Sequence, residues 1–427
     1  MEIPPAWEAA ARRWLEVGGA ALVLGAPDAG KSTLSRYLVY RAYAAGLPVG
    51  LVDLDLGQSH LGPPASLGLG LFPPLVPGDD SLCPQGLYFI GQTSPLGVIL
   101  EVAVGCRVLA DQGASQGINR LVVNTSGFVQ GLGALRLKQA QAELLRPGLI
   151  LALQQDLELE PLLRGLEGKT LSAKTPPPLA GGGWGEGEAQ DIATPTPTLP
   201  HPGGGRNTGE ETSPLQNLDR SEDIVGAGFP RPATGGAASC APTDSGCQIL
   251  RLPVSGRARR RDPELRRHYR EERFRRYFGK AREMRLSAAS FSWQGLPLGQ
   301  GEALPPDKLR QFGQHLGVEV LAGEAQGRRV LLLTAQPPLD AAAAASAGRP
   351  DWDHVHWLSW EALQSRLVGL LDGRHRTLAL GLILPASWDR ENLALLTPLA
   401  HEAAPLVRFV KLGKLRLNQE GEELPHV

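Results

Sequence analysis

The stretch Gly25-Ala26-Pro27-Asp28-Ala29-Gly30-Lys31-Ser32-Thr33 decides the fold. It satisfies the pattern G-x-x-x-x-G-K-[ST], and its surroundings agree with it: the apolar run AALVL (20–24) precedes it, and a helical stretch (32–45) follows. Strand, glycine-rich turn and helix start make up a phosphate-binding loop. Gly25 and Gly30 let backbone N–H groups curl around phosphate oxygens, and the helix N-terminus adds its dipole. In such a loop Lys31 reaches the outer phosphates and the Ser32 hydroxyl ligates Mg²⁺. Gly25, Ala26, Pro27, Asp28, Ala29, Gly30, Lys31, Ser32 and Thr33 are therefore the candidate nucleoside triphosphate site.

The next apolar run, PVGLVDL (48–54), leads into Asp53-Leu54-Asp55-Leu56-Gly57-Gln58. Carboxylates at the end of a parallel strand face the ligand crevice of an open α/β sheet. A side-chain period of two predicts Asp53 and Asp55 on the same side of that strand. Two acids beside a phosphate loop suit two tasks, holding Mg²⁺ through water and accepting a proton from a nucleophile. Further strands are read at RLVV (120–123) and LILAL (149–153), with helices at 7–17 and up to residue 145. Continuous apolar strands alternating with helices predict an α/β fold: a P-loop NTPase core with a parallel sheet flanked by helices. Short hydrophobic runs such as VEVLAG (318–323) and TLALGLIL (377–384) add a small β-rich C-terminal domain.

The chain divides into four expected parts: a P-loop core (1–172), an insert (173–248), a basic helical lid returning to the core (249–283) and the β-rich domain (284–427). The insert is predicted to be disordered, because residues 174–215 hold 8 Pro and 9 Gly in 42 positions, too few apolar groups to offset the entropy of ordering. The segment 251–280 holds 12 Lys or Arg and 4 Asp or Glu, a local charge of +8. Asp262-Pro263 reads as a helix N-cap with Pro in the first turn, and Leu265, Tyr269, Phe274 and Phe278 as its apolar stripe.

Together, Asp53 to Gln58, the loop Asn124-Thr125-Ser126-Gly127-Phe128-Val129-Gln130-Gly131 and the basic helix ending Arg276-Tyr277-Phe278 follow the P-loop in an order that resembles the polynucleotide 5′-hydroxyl kinase family. That family includes RNA kinases of eukaryotic pre-mRNA cleavage and pre-rRNA processing and their archaeal and bacterial relatives. FIGQTSP (89–95) and VKLGKLRL (410–417) look like further family segments. The resemblance implies that Lys31 and Ser32 hold the phosphates of ATP or GTP and Mg²⁺. It makes Asp55 the base that deprotonates a 5′-OH end of RNA or DNA, with Asp53 in the metal shell. Gln58, Thr93, Thr125, Gly127, Phe128 and Gly131 become substrate-binding residues. Phe128 stands where many members have Trp, keeping the π-face and losing the indole N–H. Arg261 and Arg266 match two lid arginines that close over the transferring phosphoryl group, where charge spreads in the transition state. Eukaryotic members carry a separate domain before the P-loop; about twenty residues precede it here, as in shorter prokaryotic members.

Two other readings stand beside this one: an ATP-bound, catalytically weak subunit of an RNA-processing complex, and an unrelated P-loop GTPase, for which no N-K-x-D motif is found. Composition adds bounds. Of 427 residues, 42% are hydrophobic and 20% charged, enough for real cores. Cys83, Cys106, Cys240 and Cys247 fit neither a disulfide framework nor a common zinc spacing. With no apolar run after the start and no membrane span, a cytoplasmic protein is expected. The total charge of -1 conceals a cancellation, since the +8 segment leaves -9 on the rest. This predicts a grip on a strand end at one site, not a coat along nucleic acid.

Overall fold

The computed structural model describes residues 3–72, 84–167, 247–255, 261–296, 299, 301–338, 354–388 and 392–425. The predicted insert as far as residue 246, the alanine-rich tract 341–350, Cys83 and Cys240 lie outside them. Residues 1–170 and 245–427 form one compact unit.

Its centre is a seven-stranded sheet. In chain order the strands are β1 (Gly19–Gly25), β2 (Val49–Asp53), β3 (Ser66–Phe72), β4 (Gly86–Phe89), β5 (Arg120–Asn124), β6 (Leu149–Gln154) and β7 (Gln248–Pro253). Their spatial order is β4-β3-β2-β5-β1-β6-β7. The five strands from β2 to β7 run parallel, and β3 and β4 extend the sheet antiparallel. The helices are α1 (Pro5–Val17), α2 (Lys31–Ala44), α3 (Ile99–Ser115), α4 (Gly131–Leu145), α5 (Glu160–Leu166) and α6 (Pro263–Phe278).

The unbroken apolar character of the strands follows from burial on both faces. In β1, Leu22 and Leu24 join a core with Val102, Cys106 and Leu109 of α3 and Leu137 of α4. Ala21 and Val23 point the other way, to Trp7 and Trp14 of α1 and Leu34 and Leu38 of α2. The four strands read from the sequence are present. Three were not read: β3, β4 and β7. Gly68 and Gly70 weaken the strand signal of β3, and β7 pairs with β6 across almost a hundred positions of chain. Arg251 therefore belongs to the sheet, not to the lid, and pairs with Glu160 at 2.7 Å and Glu167 at 2.8 Å.

The C-terminal region carries a six-stranded sheet, ordered β8-β16-β15-β14-β17-β9. Its strands are β8 (Arg282–Ser287), β9 (Ser292–Gln294), β14 (Arg366–Leu371), β15 (Thr377–Trp388), β16 (Asn392–Thr397) and β17 (Phe409–Arg416). A four-stranded sheet joins β10 (Glu302–Ala303), β11 (Val320–Gln326), β12 (Arg329–Thr334) and β13 (His354–Ser359), beside α7 (Pro306–Leu316). The expected β-rich character of this region is thus present. One apolar cluster joins it to the core: Phe89 of β4, Phe274 and Phe278 of α6, and Leu367, Leu380 and Leu415 of the six-stranded sheet. The Tyr277 hydroxyl accepts the Leu380 N–H at 2.8 Å.

Candidate active site

The P-loop bridges β1, the strand flanked by β5 and β6, to the start of α2. Two residues take left-handed backbone there, Asp28 (φ 60°) and Gly30 (φ 93°). Gly25 sits where a side chain would be tight, since a Cβ would lie 3.1 Å from the Leu153 carbonyl. Trp7 packs beneath Gly30, and its Nε1 donates to the Pro253 carbonyl at 3.3 Å, tying α1 and β7 to the loop. Lys31 is 5% exposed and donates to the Ala26 carbonyl at 2.8 Å. Burial lowers its pKa, opposed by Asp55, Asp28 and Asp53 nearby.

A cavity of about 960 Å³ opens over this loop. Its walls include Lys31, Ser32 and Thr33 from the loop, Asp55 and Gln58 after β2, and Thr93 before α3. Gly127 and Phe128 come from the loop after β5, and Arg261 and Arg266 from the lid. One space thus unites predicted site residues from five chain segments. A second recess of about 580 Å³ lies beside it, and Gly127, Phe128 and Arg266 border both.

The two aspartates do not share a strand face. The chain leaves β2 at Asp53 and turns, because the Asp53 carboxylate accepts the Asp55 N–H at 3.1 Å and the His60 N–H at 2.6 Å. Asp53 is buried and absent from the cavity wall. Its burial raises its pKa, while His60 and three N–H donors favour the carboxylate. Asp55 reaches the cavity, its Oδ1 accepting the N–H groups of Gly57 and Gln58. The link from Asp53 to the P-loop is Asn124, whose Nδ2 lies 3.0 Å from Asp53 Oδ1 and 3.2 Å from Ser32 Oγ. The buried Asn124 Oδ1 has no protein partner among the described residues.

The loop after β5 departs further from expectation. Thr125 is fully buried, its hydroxyl donating to the Val23 carbonyl at 2.8 Å, so its side chain fastens the loop to β1 rather than facing the cavity. A Cβ on Gly127 would lie 2.8 Å from Pro27, so the loop rests on the P-loop through a glycine. Phe128 is half-buried against the core. Gly131 starts α4 with φ 82° and stands outside the lining of both recesses.

The lid helix α6 begins as expected: Asp262 caps it by accepting the Leu265 N–H at 2.7 Å. Phe274 and Phe278 are buried, whereas Leu265 is 51% exposed and lines the cavity, so the apolar stripe is shorter than predicted. Asp28 holds both lid arginines: its Oδ2 accepts the Arg261 N–H at 3.0 Å and Arg266 Nη2 at 2.7 Å. Arg261 Nη1 also donates to Gln58 Oε1 at 3.0 Å. Gln58 Nε2 donates to the Arg266 carbonyl at 3.3 Å. Much of the remaining basic charge is spent on the protein. Arg267 pairs with Glu271, Arg270 with Glu423 and Arg275 with Glu272, while Arg273 donates to the carbonyls of His60 and Gly62. Sequence reasoning missed Arg36, His60 and Arg270 on the cavity wall. Arg36 had a signal, lying one helical turn after Ser32. The other two are brought in by tertiary folding.

The Ser32 hydroxyl and the Asp55 carboxylate share the cavity wall, and oxygen donors suit a hard cation such as Mg²⁺. Among the described residues no group of three or more His, Cys, Asp or Glu is placed to cage a metal. Among them, too, no helix is long and apolar enough to cross a membrane.

A P-loop, an acid just after β2 and two arginines on one cavity wall are the parts of a nucleotide-dependent phosphotransferase site. Residues 25–182 match the family model described as the P-loop of mRNA cleavage and polyadenylation factor CLP1. The chain is 25% identical over 403 residues to a polyribonucleotide 5′-hydroxyl-kinase of Pyrococcus furiosus, covering 94% of this chain and 89% of that one. It is 22% identical over 407 residues to that of Methanocaldococcus jannaschii, covering 94% and 88%. Clp1 of Xenopus tropicalis, also named a polyribonucleotide 5′-hydroxyl-kinase, is 30% identical over 167 residues, 37% of this chain and 38% of that one. A chain of the solved wild-type Clp1p–Pcf11p complex shares the fold with TM-score 0.51 and 12% identity, covering 96% of this chain and 78% of that chain. Residues 25–182 are thus similar to a CLP1-type P-loop, and the chain is similar to the archaeal kinases along nearly its whole length.

Proposed function

We infer that this chain is a polynucleotide 5′-hydroxyl kinase, moving the γ-phosphate of ATP to the 5′-OH end of RNA. The observation that carries this reading is the single cavity in which Lys31, Ser32, Asp55, Arg261 and Arg266 meet, in a chain homologous to named RNA 5′-kinases. Asp55 takes the proton as the 5′-oxygen attacks the γ-phosphorus, the bond to the β-phosphate oxygen breaks, and ADP leaves. Lys31 and the P-loop amides hold the β- and γ-phosphates. Arg266 exchanges Asp28, and Arg261 exchanges Gln58, for the transferring phosphoryl group, where positive charge lowers the barrier. Ser32 would hold Mg²⁺, which when bound would supply charge to screen the phosphates, and Asn124 and Asp53 orient Ser32 from behind. Gln58 and Thr93 border the acceptor, Gly127 lets the loop approach it, and Phe128 offers a ring to the end nucleotide. Thr125 and Gly131 shape that loop from outside the cavity. Residues 1–167 with β7 act as core, α6 as lid and the β-rich C-terminal region as support. A cytoplasmic location accompanies this reading, in keeping with the free thiols of Cys106 and Cys247.

The test is transfer of labelled γ-phosphate to 5′-OH oligonucleotides, with matched RNA and DNA ends and ATP and GTP in turn. Labelled RNA 5′ ends are expected. No transfer across varied Mg²⁺ and nucleotide conditions would overturn the reading, and ATP retained without turnover would favour the weak-subunit alternative.

A further inference from the structure

A lysine lies in the core behind the loop that follows β5. Lys138 of α4 is fully buried, and its Nζ donates to the Ser126 carbonyl at 3.1 Å and to Ser126 Oγ at 3.4 Å. A buried ammonium is costly, and an apolar residue of similar length would fill the space at less cost. Burial and the neighbouring Lys31 push its pKa down to about 7. Ser126 lies on the cavity wall, and the next residue, Gly127, rests against Pro27 of the P-loop. The loop is therefore held at three points: Thr125 on β1, Gly127 on the P-loop and Ser126 on Lys138.

We propose that Lys138 is a positioning residue for the acceptor polynucleotide: by gripping Ser126 from behind, it holds Gly127 and Phe128 where the strand end must dock. This rests on the kinase reading above and assigns a role to a residue that touches neither substrate. Removing the grip leaves Lys31, Ser32 and Asp55 in place, so nucleotide binding is retained while acceptor binding weakens.

The experiment uses the full chain as wild type, Lys138→Met and Lys138→Gln. Melting temperature, binding of a fluorescent ATP analogue and anisotropy of a fluorescent 5′-OH RNA oligonucleotide are measured, with KM for each substrate. For Lys138→Met we expect acceptor Kd and KM to rise on the order of 10- to 100-fold, the span of a lost hydrogen bond to a charged donor. Nucleotide affinity should stay within about twofold if only acceptor binding is removed. Lys138→Gln, which still offers an N–H to Ser126, should recover part of the loss. Acceptor affinity unchanged in Lys138→Met, equal loss of both affinities with a lowered melting temperature, or no recovery in Lys138→Gln would each overturn the proposal. Because the anisotropy needs no turnover, a wild type that binds RNA without transferring phosphate counts against the kinase reading alone.

Discussion

Asp53 and Asp55 are two positions apart, chemically identical and differently employed. Asp53 turns inward and spends both oxygens on the backbone N–H groups of Asp55 and His60 and on Asn124. Asp55 spends one oxygen on the turn and faces the cavity. Only the second is placed to take a proton from an acceptor. Asp55→Asn should therefore cut phosphoryl transfer on the order of 10²- to 10⁴-fold, the worth of general-base help. Nucleotide affinity, measured by titration, should be nearly unchanged; activity equal to wild type would remove Asp55 from that role. Arg261→Ala should lower turnover more than ATP affinity, and a fall in RNA affinity alone would make this arginine a phosphate anchor. The acidic pair was legible in the sequence, but the turn that separates its two members was not, because it depends on hydrogen bonds to His60 and Asn124.

At the scale of elements, α6 is docked through a carboxylate of the P-loop. Burial of Asp28 raises its pKa, but the Arg261 N–H and the Arg266 guanidinium outweigh this and hold it below the ordinary value. The group is depressed in the folded state, so its contribution is present above the ordinary carboxylate range and lost as pH falls through the lowered value. Amide protection at the start of α6, corrected for the intrinsic exchange rate, should thus be flat near neutrality and fall only in acid. Asp28→Asn should lower it at neutral pH by roughly fivefold, on the order of 1 kcal/mol for the lost charged contacts. No difference in exchange would show that the helix is held by Phe274 and Phe278 alone. The capped helix could be read from Asp262-Pro263, but its arginines' partners could not. Glu423, His60, Gly62 and Asp28 are distant in sequence, and they give Arg266, Arg270 and Arg273 partners on the protein.

At the scale of the whole molecule, the core and the six-stranded sheet meet through glycines as well as leucines. A Cβ on Gly413 would lie 2.7 Å from the Leu367 carbonyl and 2.9 Å from the Gly91 Cα. A Cβ on Gly369 would meet Phe89 at 2.5 Å. Gly413→Ala forces backbone against backbone and should destabilise the protein by about 1–3 kcal/mol, the usual range for overpacking. The check is urea unfolding of the full chain; a midpoint equal to wild type would mean that the joint relaxes freely. Because Gly91 precedes Thr93 on the cavity wall by two residues, the same variant should also weaken acceptor binding.

Local physics, legible along the chain, settled the phosphate loop, four parallel strands, the capped lid helix and the β-rich character of the C-terminal region. Each depends on periodicity, glycine freedom or a capping side chain within a few residues. Contacts between distant segments settled the rest. They buried Asp53 and Thr125, added β3, β4 and β7, docked Arg261 and Arg266 on Asp28, and set Lys138 behind the loop that follows β5. Those outcomes depend on which buried polar group finds which partner, and partners far apart in sequence leave no periodic trace.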